Sequence, residues 1–136
     1  MKKLNVIIVY DKKEEKILMC ERIKEPYKGK LNLVGGKVEE DESEIHAAYR
    51  ELQEETGITK KDIVLKHIMN FQYELSGIEL EVFAGKLKEN KELEQELNPL
   101  IWIDKKENFF DINRFAGEGN IGHMIQQVEL YKNNIF

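Results

Sequence analysis

The sequence predicts an α+β fold, with strands in the majority and two helices placed to cover opposite faces of a mixed sheet. Three observations carry this expectation. Short apolar, β-branched runs recur from residue 4 to residue 103, separated by charged or Gly-containing turns. Apolar residues at helical spacing appear twice, once after Gly35-Gly36 and once at the end of the chain. A length of 136 residues with 41% hydrophobic content suits one core, so a single domain over 1–136 is expected.

In order, residues 4–10 form an apolar run that reads as a strand buried on both faces. The charged stretch 11–15 is a turn, and residues 16–22 continue as a second strand, giving a hairpin. Residues 25–30 break the periodicity, and 31–34 is a brief strand that delivers the chain to Gly35-Gly36. Paired glycines permit positive φ or a close backbone approach, which lets a carbonyl face a metal. Ser43 is the expected N-cap of a helix over 43–56, with Glu44 in its first turn and Gly57 where it stops. On that helix Ile45, Ala48, Tyr49, Leu52 and Thr56 share one stripe, while Glu51, Glu54 and Glu55 fall roughly opposite. Residues 63–75 and 78–87 make a second, longer hairpin around Ser76-Gly77. Residues 88–98 form a charged connection read as solvated. A last strand covers 99–103, and 104–119 is mostly irregular. Ile121, Met124, Ile125 and Val128 mark a C-terminal amphipathic helix.

Charge and cysteine usage exclude several classes. A net charge of −5 argues against a long polyanionic partner such as DNA or RNA, which needs a basic face. The single Cys20 excludes an intramolecular disulfide, fits a reducing cytoplasm and reads as a buried packing residue. The start of the chain imitates a signal peptide, yet its apolar part stops at Asp11 without a cleavage site, so no targeting or membrane segment is expected. His46, His67 and His123 are scattered and lack a paired ligand.

The carboxylates of the first helix are the chemical signal. Three acids within one turn sit ~5–6 Å apart at Cβ, and each pair repels by roughly 3 kcal/mol at a partly shielded surface. A hard divalent cation turns that repulsion into affinity, and Mg²⁺ prefers carboxylate oxygens and shares its shell with substrate phosphates. The spacing sharpens the point. Gly36, Glu42, Arg50-Glu51, apolar Leu52, Glu54-Glu55, Gly57 and apolar Ile58 occupy fixed separations that meet by chance with probability of roughly 10⁻⁹ to 10⁻¹⁰.

These residues resemble the box of the Nudix hydrolases, enzymes that cleave a nucleoside diphosphate linked to another group. The strand pattern extends the likeness along the whole chain, and the resemblance implies an αβα sandwich. It implies Glu51 and Glu55 as direct Mg²⁺ ligands, with Mn²⁺ as a substitute. Glu54 is implied as a ligand or proton acceptor, and the Gly36 or Gly35 carbonyl as a further oxygen. Arg50 would orient a catalytic carboxylate, and Glu42 would reach the metal through water or pair with Arg50. Lys37 would contact phosphate. Some members take the general base from a remote loop, where Glu92, Glu94 and Glu96 are available and Glu96 is best placed before Pro99.

The segments KGKLNLVGGKVEE and RFAGEGN look like the MutT branch, which removes nucleoside triphosphates including oxidised purines such as 8-oxo-dGTP. On that likeness Asn32 and Asn120 would hold the base, Phe115 would stack on it and Arg22 would reach phosphate. Asn carries both donor and acceptor, as base-edge reading requires. The sequence departs from the family at Val34, where proline is common, and at Leu31, where some relatives carry an aromatic residue. The implied reaction is Mg²⁺-dependent hydrolysis of a nucleoside triphosphate to a monophosphate and pyrophosphate. The alternatives are hydrolysis of ADP-ribose, nucleotide sugars or dinucleoside polyphosphates, and a silent nucleotide sensor. The expected partner is a small-molecule nucleotide with no membrane, as monomer or homodimer.

Overall fold

The computed structural model describes residues 1–136. Its elements are β1 (Lys2–Tyr10), β2 (Lys16–Glu21), β3 (Leu31–Leu33), α1 (Glu44–Thr56), β4 (Lys66–Tyr73), β5 (Ile78–Lys86), β6 (Leu100–Asp104) and α2 (Asn120–Ile135). The six strands form one mixed sheet in the order β3-β2-β1-β5-β4, with β6 on β2. Only β1 and β5 run parallel, in unbroken register from Lys2 opposite Ile78 to Tyr10 opposite Lys86.

Alternation along β1 assigns the two faces. Ile7 and Val9 pack with Ala48, Leu52 and Ile58 on the α1 side. Ile8 and Tyr10 pack with Ile121, Met124, Ile125 and Val128 of α2 on the other. Helix, sheet and helix are therefore three layers, and β1 is buried on both faces from Ile7 to Tyr10.

The expected β1–β2 hairpin is present only at its turn. Tyr10 opposite Ile17 is the sole registered pair. Beyond it β2 takes β6 along one edge and β3 along the other. The edge of β1 thus released is filled by the chain after β3, through bridges of Ile7 to Val34 and Leu4 to Lys37. Gly35 and Gly36 lie in this split of the sheet. The β4–β5 hairpin forms as the alternation predicts, with a bulge between His67 and Met69, although Ile63 makes only an isolated bridge to Leu87.

Helix α1 begins where its cap predicts, with the Ser43 side chain accepting the His46 N–H and Gly57 closing it in the left-handed region. Its buried stripe differs from the expected one. Ile45 is exposed, and Ala47 is buried with Ala48, Leu52 and Thr56. The helix is rotated so that Glu51 and Glu55 flank the buried arc instead of standing opposite it, because the glycine turn leaves room for carboxylates there. Residues 88–98 are mostly exposed, as expected, and are anchored by Lys88 N to Asp62 O at 2.9 Å and Glu94 N to Thr56 O at 2.8 Å. No helix is long and apolar enough to cross a membrane.

Candidate active site

The split between β1 and β2 builds the site's backbone. Ile7 N donates to Val34 O, Asn5 N to Gly36 O and Val38 N to Lys3 O, so the glycine turn is stitched to a central strand. A side chain at Gly35 would strike the Asn5 backbone, and one at Gly36 would overlap the Glu51 carboxylate. Glycine is needed at both places for close approach. The Gly36 carbonyl is engaged by Asn5, whereas none of the backbone hydrogen bonds involves the Gly35 carbonyl. Of the two carbonyls implied by the resemblance, Gly35 is the one without a backbone partner.

Arg50 organises the carboxylates. Its guanidinium donates to Glu42 at 2.9 Å, to Glu51 at 3.0 Å, to Glu54 at 3.2 Å and to the Lys37 carbonyl at 2.9 Å. Glu42 therefore pairs with Arg50, which together with the Glu39 N–H holds its carboxyl down at about 2. Glu51 moves the other way because burial disfavours its charge more than Arg50 supports it. Glu55 accepts the Gly35 N–H at 3.3 Å, and burial, with Glu51 and Glu96 nearby, pushes it up to about 7.

A cleft of about 460 Å³ opens from this turn, within the range of small-molecule sites. Gly35, Gly36, Lys37 and Glu55 line one end; Arg22, Asn32 and Asn120 line the rest. A small pocket on the other side of Glu55 brings Glu96 together with Glu51 and Glu54. A larger open trough of about 1380 Å³ beyond Glu42 contains none of Glu51, Glu54 and Glu55, so it is not where their chemistry would occur.

Phe115 is corrected. It is 1% exposed, packs on Phe109 with ring centroids 5.0 Å apart and offers no face to the cleft. Its backbone, bridged to Leu31, carries the 115–120 segment to the cleft while the ring fills the core. Asn120 does not cap α2, since Gly119 occupies that position; its Nδ2 donates to the Tyr73 hydroxyl at 2.5 Å. Asn32 accepts the Leu33 N–H through Oδ1, leaving its NH₂ without a protein partner. Asn5, Tyr27, Tyr73 and Glu118 also line the cleft and were not singled out from sequence. A lone Asn in the apolar run LNVIIVY was the one signal for Asn5; the tyrosines and Glu118 reach the cleft through long-range packing that leaves no local pattern.

The donor set suits a hard divalent cation, being carboxylates and a carbonyl with no thiolate or imidazole. No three acidic, His or Cys side chains converge into a closed ligand cage.

Comparison with known proteins extends the pattern beyond the box. A NUDIX domain model matches residues 1–113. The chain is 37% identical over 78 residues to a CTP pyrophosphohydrolase of Escherichia coli, a match spanning 57% of this chain and 56% of the relative's length. Among solved structures it is similar to an Ap4A hydrolase of C. elegans, with TM-score 0.78, 17% identity and coverage of 99% of this chain and 100% of the other. It is also similar to MutT of Aliivibrio salmonicida and Vibrio cholerae, with TM-score 0.70, 21% identity and coverage of 95% and 98%. The layered sheet split open at a glycine turn, with the spaced glutamates beside it, thus belongs to a domain matched over most of the sequence, and the chain is a member of the Nudix family.

Proposed function

We propose that this protein is a Mg²⁺-dependent pyrophosphohydrolase of nucleoside triphosphates, oxidised purines among them, releasing a monophosphate and pyrophosphate. One observation supports the reading above the others. The glycine turn and Glu55 lie in the same cleft as Asn32 and Asn120, whose volume suits one nucleotide. The similarity to a relative named CTP pyrophosphohydrolase favours the triphosphate class.

Glu51, Glu54, Glu55 and the Gly35 carbonyl would hold the cation. When bound, it supplies charge neutralisation at phosphate oxygens and a more acidic water. Arg50 keeps Glu51 and Glu54 in place, and Glu96, beside both in the small pocket, is the proton acceptor. Arg22 and Lys37, which line the cleft, would meet phosphates, and Asn32 and Asn120, which also line it, would read the base.

Two outcomes test this. Pyrophosphate release is expected from a panel of common nucleotides, CTP and 8-oxo-dGTP with Mg²⁺, to stop with EDTA and to return when Mg²⁺ is restored. Activity that survives full chelation overturns the metal assignment, and turnover confined to ADP-ribose, nucleotide sugars or dinucleoside polyphosphates overturns the substrate class. Asn120→Ala should lower kcat/KM for the preferred nucleotide roughly 5- to 150-fold, the worth of one good base contact, while poor substrates change little. Asn32→Ala should behave likewise. A uniform fall across the panel rejects these residues as base readers.

A further inference from the structure

Glu81 is the least comfortable side chain in the protein. It sits on central strand β5, is 0% exposed, and neither carboxylate oxygen has a hydrogen-bond partner. Asn5, its register partner on β1, is 2% exposed and also has an unpartnered atom, the amide Nδ2. Buried polar groups without partners are rare enough to require a reason, and here two occur on adjacent strands. Alternation places Glu81 on the α1 face, two residues from Phe83 in that layer's core.

Asn5 is no ordinary strand residue. Its Oδ1 accepts the Gly36 N–H at 2.9 Å while its own N–H donates to the Gly36 carbonyl at 2.8 Å. The amide at residue 36 is thus gripped from both sides. The grip depends on which way the carboxamide points, because a flip would set NH₂ against the Gly36 N–H. An acceptor for Nδ2 fixes the orientation, and the neighbouring strand ~4.8 Å away offers one.

We infer that Glu81 is a positioning residue for the glycine turn: its unpartnered carboxyl and the unpartnered Asn5 Nδ2, side by side on register partners, would pair through a small side-chain rotation, fix the carboxamide and so hold Gly36, Gly35 and the facing Glu51 in the arrangement that takes the cation. Glu81 acts through Asn5 and touches no substrate. Around it stand Glu44 at the head of α1, Lys3 on β1, which donates to Glu44 at 3.0 Å, Glu79 on β5 and, near Glu44, His67 on β4. Burial and the neighbouring Glu44 raise Glu81 above the ordinary carboxylate range. So paired, a neutral carboxyl would accept from Asn5 with one oxygen and have the other available to donate towards Glu44, and glutamine would reproduce both roles.

The inference rests on the metal-holding reading of the turn, and its test separates the two. Gly36 amide hydrogen exchange is followed in cation-free protein, and Mn²⁺ binding is titrated by electron paramagnetic resonance without nucleotide. Glu81→Met should keep or raise the melting temperature, since a buried unpaired carboxyl is replaced by an apolar chain of similar length. It should nevertheless speed Gly36 exchange at least ~10-fold by freeing a local opening, and weaken Mn²⁺ binding about 10- to 100-fold, as loss of an outer-shell partner does. Asn5→Val should do the same, and Glu81→Gln should match the wild type in both readouts. Should Glu81→Met not fold, Glu81→Val, suited to a central strand, takes its place. Unchanged Gly36 exchange in a folded Glu81 variant lacking the acceptor overturns the inference. Failure of the wild type to bind Mn²⁺ overturns the metal reading, while exchange still decides the role of Glu81.

Discussion

Replacing Glu55 by glutamine is expected to lower turnover at saturating Mg²⁺ by at least ~100-fold, on the scale set by removing one preorganised electrostatic group. Glu55 lies at the junction of the nucleotide cleft and the pocket that holds Glu96, with its carboxylate on the Gly35 N–H. Glutamine preserves size and keeps an acceptor for Gly35, so what is lost is charge. Stability should move in the opposite direction. Without a cation, the folded-state value of about 7 lies above the ordinary 4.5 of the unfolded chain. The unfolded state therefore releases this proton first. The stabilising contribution of Glu55 is full below about 4.5 and is lost as pH rises through 7. The glutamine variant lacks this loss, so cation-free thermal melts above pH 7 should show it equal to or more stable than the wild type. Near wild-type turnover at saturating Mg²⁺ would remove α1 from the active site.

Leu52→Ala carries the largest expected cost in stability, ~2–5 kcal/mol for a large-to-small change in a closed core. Leu52 is 0% exposed and belongs to the cluster of Ile7, Val9, Leu18, Ile58, Ile63 and Phe83 under α1. Its neighbours in sequence, Glu51 and Gln53, do not enter that cluster, so the loss is one of packing. Denaturant unfolding measures it through the midpoint at constant slope. An unshifted midpoint would mean that α1 is not packed on the sheet through this residue.

What could be read from the sequence was what is local in the chain. The Ser43 cap, the Gly57 stop and the α2 stripe of Ile121, Met124, Ile125 and Val128 depend on neighbours within one or two turns. The glutamate spacing is equally local. Periodicity misassigns the rotation of α1 because Ile45 counts as apolar in any period, yet its position near the open N-terminal end leaves it 40% exposed. Phe115 is ambiguous for a similar reason, since an aromatic beside glycines reads equally well as a stacking platform or as core, and here it is core. Pairing partners were not legible at all. The parallel β1–β5 ladder and the transfer of the β1 edge from β2 to residues 34–37 are decided by surfaces far apart in sequence. Glu81 was hidden by its own pattern, because Glu79 and Glu81 alternate with apolar residues as solvent-facing positions would.

That parallel ladder also sets an order of assembly. Lys2 meets Ile78, so joining β1 to β5 closes a loop of about 76 residues, whereas β4 reaches β5 across a four-residue turn. Loop closure grows costlier with length, and folds dominated by such distant pairings fold slowly. On the ribosome, β1 emerges first and waits until β5 has been made before it has its neighbour. The glycine turn is stitched to β1, the strand that this ladder fixes in the centre of the sheet. A chain whose β1 has come away therefore carries every glutamate of the box but lacks the backbone partners that shape the turn beside them.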